Sequence, residues 1–269
     1  MNFDFSEEQE EIRRTARRFL AEGLQSARTV LDGETSHDSQ AWQAVVEMGW
    51  PAAAIGEEHD GLGLGYLELC VLAEEFGSTL TPVPFVSSVL QATEAIKVAD
   101  DAVQAADWLP RLAAGEQIGT LAFSEAQAGQ SWTGLPEARV TEGRLSGCKT
   151  PVADGLAATF AVVSARAEED GEGFGWWLVS LDQPGVSREL EDAVDRVRKH
   201  ATLRFDKVTA IRLGRPGEGA GMAERLRDVV AVLTAFEQLG GAVAALVMAT
   251  EYTKTRQAFG RLVGSYQAG

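Results

Sequence analysis

The chain has 269 residues, 45% of them hydrophobic, which is enough for about two domains with a sizeable core and excludes an intrinsically disordered chain. The formal net charge of −16 excludes nucleic acid and anionic membrane surfaces as general partners, because both need clustered Lys and Arg. Two cysteines without a Cys-x-x-Cys and three scattered histidines give neither a disulfide framework nor a metal-ligand spacing. The acidic start, Asp4, Glu7 and Glu8, is no secretory signal, and the expected setting is the reducing cytoplasm.

In chain order, Ser6 with Glu7, Glu8 and Gln9 predicts a capped helix start, and Ile12, Thr15/Ala16 and Phe19/Leu20 continue at helical spacing. Further helices are expected at Gln40–Met48, Tyr66–Phe76, Phe85–Ala99 and Asp101–Ala114. The glycine-punctuated 56–65 loop lies between Gln40–Met48 and Tyr66–Phe76. The pattern changes near Gly119. Short β-branched and aromatic runs predict strands at Ile118–Phe123, Glu137–Thr141, Arg144–Ser146, Phe160–Ala165, Gly175–Leu181 and Ala201–Phe205, with Glu168–Gly173 as a hairpin tip. Gly214–Gly221 reads as a linker, and a long apolar helix begins near Met222. The apolar run Val229–Ala249 is broken by Thr234, Glu237, Gln238 and a Gly-Gly pair, so it reads as a core helix rather than a membrane span. This order is an α+β plan with three expected blocks. Residues 1–117 form an N-terminal helical domain, 118–215 a middle antiparallel β-barrel or sheet domain, and 216–269 the start of an incomplete C-terminal helical bundle.

Generic motifs fail. Gly61-x-Gly-x-Gly65 follows no strand, and Cys148 separates Gly147 from Lys149 in what otherwise mimics a phosphate loop. Gly129-Gln-Ser131-Trp-Thr-Gly134 has the wrong spacing for a nucleophile elbow.

A family resemblance runs along the chain instead. Residues 2–20, 47–65 (EMGWPAAAIGEEHDGLGLG) and 73–86 (AEEFGSTLTPVPFV) resemble, in order, segments of the acyl-CoA dehydrogenase family. Phe123-Ser-Glu-Ala-Gln-Ala-Gly-Gln-Ser131 is similar to the family's Thr-Glu-Pro-x-Ala-Gly-Ser-Asp strand end. Leu145-Ser-Gly-Cys-Lys-Thr-Pro-Val-Ala153 is similar to Leu-Asn-Gly-x-Lys-x-Trp-Ile-Thr, and 256–267 to Arg-x-x-Phe-Gly followed by Phe-Gln.

The resemblance implies an FAD-dependent enzyme that oxidises an acyl-CoA thioester to the 2,3-enoyl-CoA and passes electrons to an electron-transfer flavoprotein. It implies cofactor contacts from Phe123, Ser124, Ser131, Arg256, Phe259 and Gln267, the last three reaching a neighbouring subunit's dinucleotide. An arginine fork suits pyrophosphate oxygens. Pro151 and Ala153 stand where the family has its Trp and Thr, and Gln130 where it has Ser, so flavin contacts are lost at those points.

Glu237 is the candidate base. Helical spacing puts it on one stripe with Val230, Leu233/Thr234 and Gly241. Burial among apolar residues disfavours the charged form of a carboxylate, the condition for a base poised to take the proton α to a thioester carbonyl. The family's helix position for this base falls at Val230 here. Glu237 lies two turns on, in an Ala-Phe-Glu-Gln-Leu-Gly-Gly pattern that resembles a bacterial heteromeric subgroup acting on bulky steroid thioesters. A non-catalytic or half-site subunit of a heteromeric dehydrogenase is the alternative. Either way the stripe of 229–249 needs covering, and a homo- or hetero-oligomer is expected.

Overall fold

The computed structural model describes residues 4–33, 35–126 and 132–266, with 22–25 and 32 as backbone only. The first block is helical: α1 (Glu7–Phe19), α2 (Gly23–Asp32), α3 (Ser39–Glu47), α4 (Tyr66–Thr79), a π-helical segment Phe85–Ala92 running into α5 (Thr93–Val98), and α6 (Ala102–Ala113). Its starts are written locally. The Gln9 amide donates to Ser6 Oγ while the Ser6 amide donates to Gln9 Oε1, a reciprocal capping box. The Asp38 and Asp101 carboxylates cap α3 and α6 by accepting from first-turn amides, without the reciprocal bond. The continuous α-helix expected over 85–99 opens instead into a π turn, where the Thr93 amide reaches the Ser88 carbonyl and the Thr93 hydroxyl donates to the same oxygen.

The middle block has two four-stranded sheets. One has the order β1 (Gly119–Ala122), β4 (Phe160–Ala165), β5 (Gly175–Ser180), β8 (Ile211–Leu213). The other runs β2 (Arg139–Thr141), β3 (Arg144–Ala153), β7 (His200–Thr209), β6 (Val186–Glu191). Pairing between these strands is antiparallel except for β1 with β4, which is parallel. Strand β3 continues well past the expected Arg144–Ser146. Strands β6 and β8 were not expected; β6 is mostly solvated and charged, so it lacks an apolar alternation strong enough to reveal it.

Side-chain alternation builds two cores from one sheet. Ala161, Val163 and Val179 face the second sheet and meet Leu145, Leu203 and Val208. Phe160, Val162, Trp176 and Leu178 face the other way, onto Trp108 and Leu112 of α6 and onto the final helix.

That helix, α7 (Gly219–Thr255), starts earlier than the expected Met222 and has 37 residues, a span of about 55 Å. By length and composition it is apolar enough to cross a membrane. Its first half packs instead on the strands, α5, the π segment and above all α4. The approach to α4 is backbone to backbone: a Cβ on Gly77 would lie 1.9 Å from the Glu237 carbonyl oxygen, and one on Gly240 would lie 1.8 Å from that of Glu74. Beyond Thr255 a small hairpin, β9 (Gln257–Ala258) with β10 (Arg261–Leu262), folds back on α7.

Candidate active site

Strand β1 delivers Phe123 and Ser124 at its carboxyl end. The Phe123 ring stacks on Trp132 at 4.4 Å. Ser124 is buried, and its carbonyl accepts from the Thr150 amide at 2.9 Å, which ties the end of β1 to β3. Among the described residues the Ser124 hydroxyl has no hydrogen-bond partner. Beside it Pro151 is exposed and Ala153 half-buried, so neither an aromatic face nor a hydroxyl stands at those two positions. Gln130, Ser131 and Gln267 lie outside the described residues.

One buried ion pair holds the two motif strands together, and sequence reasoning missed it. Lys149 Nζ donates to Glu125 Oε1 at 2.6 Å and to Ser164 Oγ at 3.0 Å. The Glu137 and Ala138 amides donate to the same carboxylate at 2.6 and 3.1 Å. Burial pushes the Glu125 carboxyl up, but the Lys149 ammonium and the two amides outweigh it and hold the group below its ordinary value. The signal was present in the sequence, since an acid follows Ser124 directly and a lysine sits inside the second motif.

Glu237 is buried, with Val230, Leu233 and Gly240 on the buried side of α7 and Gly241 only half-buried. It is not isolated among apolar groups, which corrects the expectation from helical spacing. Arg198, on the irregular segment between β6 and β7, donates through Nη2 to Glu237 Oε1, and Nη1 stands 3.5 Å from Oε2. Next to this segment Asp154 accepts from Ser87 Oγ at 2.7 Å, and the Asp154 amide donates to the Lys199 carbonyl at 2.8 Å. Burial raises the Asp154 carboxyl to about 6, against the lowering effects of Ser87, Arg198 and His200. The helical block, the β block and α7 therefore meet around Ser87, Asp154, Arg198 and Glu237.

Arg256 and Phe259 are elsewhere. Nineteen residues of helix and its end separate Glu237 from Arg256, about 28 Å along the axis. Among the described residues nothing pairs with the Arg256 guanidinium, and Phe259 is 99% exposed. The chain brings Phe123 and Ser124 together, sets Glu237 beside Arg198, and leaves Arg256 exposed at the end of α7 and Phe259 exposed on the hairpin that follows.

Comparison with known proteins bears on the family and the fold. The profile of the acyl-CoA dehydrogenase N-terminal domain fits residues 6–116. Over 97% of its length the chain superposes on a solved steroid ACAD variant, Tcur3481–Tcur3483, with a TM-score of 0.85 and 32% identity, covering 71% of that chain. It is 27% identical to the acyl-CoA dehydrogenase IpdE2 of Mycolicibacterium smegmatis, covering 98% of this chain and 70% of the relative. It is 26% identical to the acryloyl-CoA reductase (NADH) of Anaerotignum propionicum, covering 99% and 71% respectively. Helices, then a two-sheet block, then a long helix define an α+β protein of the acyl-CoA dehydrogenase type. The chain belongs to the acyl-CoA dehydrogenase family, a family of flavin-dependent oxidoreductases.

FAD is the cofactor that membership implies. The residues present fit it at two points: the hydroxyl of the largely buried Ser124 at the end of β1 and the exposed Arg256 guanidinium at the end of α7, neither with a partner among the described residues.

Proposed function

We propose that the chain is one subunit of an oligomeric, FAD-dependent acyl-CoA dehydrogenase that converts an acyl-CoA thioester to the 2,3-enoyl-CoA. The observation that carries this reading is Ser124, a residue only 4% exposed whose hydroxyl is unpaired among the described residues, at the strand end where the family meets the flavin edge. Ser124 and Phe123 would hold the ring system, with Ser131 completing that turn. Arg256, Phe259 and Gln267 would hold the dinucleotide of a neighbouring subunit, because about 28 Å of helix keeps them from Glu237 of their own chain.

When bound, FAD supplies the acceptor for the β hydride and relays the electrons to a separate electron-transfer flavoprotein. Glu237 takes the α proton of the thioester on a carboxylate oxygen. The α4–α7 contact at Gly77 fixes the backbone from which Glu237 projects. The buried Lys149–Glu125 pair keeps the two flavin-facing strand ends in register. Similarity to a steroid ACAD at 32% identity supports a bulky, steroid-like acyl group.

A second reading, a half-site subunit that shapes the site or lends Arg256 to a catalytic partner, is favoured by Pro151 and Ala153 and by the guanidinium that covers Glu237. The two readings separate on one experiment. Acyl-CoA is added anaerobically to the flavin-loaded protein, alone and with its partner subunit, and the flavin absorption is followed. The first reading requires bleaching that Glu237→Gln abolishes. Bleaching in the mixture that survives Glu237→Gln assigns catalysis to the partner. No bleaching in either preparation ends both.

A further inference from the structure

Glu237 does not face its surroundings bare, and the way Arg198 covers it has chemical content. The guanidinium meets both carboxylate oxygens, and its side chain is 37% exposed where that of Glu237 is 6% exposed, so the cation lies between the acid and solvent. The glutamate cannot withdraw by moving its helix, because the Glu237 backbone is pressed on Gly77 of α4.

The backbone around Arg198 is also pinned. His200 Nδ1 lies 3.0 Å from the Arg198 carbonyl, and the Lys199 carbonyl accepts from Asp154. Freedom therefore resides in the arginine side chain, and a second acceptor is within its reach. Asp195 Oδ1 accepts from the Val197 and Arg198 amides at 3.0 and 3.1 Å, and Asp195 Oδ2 stands 4.0 Å from Arg198 Nε on a half-exposed carboxylate. One cation thus stands between two acceptors, one buried and one half-exposed.

We propose that Arg198 is the positioning residue of Glu237. Turned inward it fixes the carboxylate and closes the site; turned to Asp195 it uncovers the carboxylate for the α proton of a bound thioester. The proposal rests on the reading of Glu237 as the base. It makes Asp195, which touches neither Glu237 nor the reacting atoms, a determinant of turnover.

The test is steady-state kinetics on the oligomer as purified, with an acyl-CoA thioester and an artificial electron acceptor. Glu237→Gln is expected to lower kcat by about 10²–10⁴-fold. If it turns over like the wild type, the base reading fails, and this proposal with it. Given an inactive Glu237→Gln, Arg198→Gln is expected to lower kcat by on the order of 10²-fold with KM unchanged, the scale of a mispositioned group. Asp195→Asn, at an exposed position that keeps the fold, is expected to lower kcat without moving KM because the guanidinium stays on Glu237. If Arg198→Gln and Asp195→Asn lower only the melting temperature and leave kcat within about twofold of wild type, the pair is structural and the proposal is overturned, although Glu237 remains the base.

Discussion

At Asp154 the residue and its surroundings are in conflict. Burial holds its carboxyl at about 6 against an ordinary 3.8, although Ser87, Arg198 and His200 all favour the ionised form. The folded chain therefore keeps a proton that the unfolded chain has released between about pH 4 and pH 6, and stability falls as pH rises through that window. Asp154→Asn keeps an acceptor for the Ser87 hydroxyl and removes the titration. The variant is expected to be more stable than wild type at neutral pH, with the gap closing as pH falls towards 4. Urea denaturation across pH measures this, and a gap that widens on acidification would refute it.

At the residue scale the structure bears on where candidate residues sit in the fold. Ser124 and Arg256 stand where the motif reading puts them, one buried at a strand end and one at the end of a helix. Arg198 was not legible, because Asp-Ala-Val-Asp-Arg-Val-Arg-Lys has no periodicity and its partner is 39 positions away. Glu125 and Lys149 were each visible, but their pairing depends on how β1 ends beside β3, which no local pattern encodes.

Among the elements, the crossing of α4 and α7 sets the geometry at Glu237. It depends on Gly77 and Gly240, where an added Cβ would strike a carbonyl oxygen of the opposing helix. Alanine at either position is expected to destabilise the protein by about 1–3 kcal/mol, because the obstacle is backbone. Gly241→Ala is the control. Its Cβ would sit 3.5 Å from the Gly77 oxygen, an ordinary contact, and alanine in a helix interior gains about 0.5–1 kcal/mol over glycine. Thermal denaturation of the three variants should therefore show two large losses and no loss at Gly241. Three equal losses would show that the close approach is not limiting.

Sequence patterns revealed the elements that carry their own signal. The Ser6 box and the continuously buried, mostly apolar β4 follow their local chemistry. The π turn at Phe85–Ala92 and strand β6 depend on tertiary partners instead. The Ser88 hydroxyl accepts from the Gly119 amide of β1, and β6 is defined by its pairing with β7.

On the scale of the whole molecule, the exposed side of α7 sets the behaviour of the protein in solution. Val232, Leu239, Val243, Leu246, Val247 and Tyr252 are exposed along it. An apolar stripe of this length exceeds what a soluble monomer usually leaves open. Light scattering on this chain is expected to show association, and a monodisperse monomer would count against an oligomeric assembly. Arg256 and Phe259 are exposed beyond this stretch, and the proposed function has them hold a dinucleotide shared between subunits.

The most direct measurement of that sharing is the visible spectrum of the purified assembly, wild type against Arg256→Gln, with partner subunit present. The account predicts a flavin band in the wild type that is lost on gel filtration of the variant while helix content and oligomeric state are unchanged. A colourless wild type, or a variant that retains its flavin in full, would contradict it.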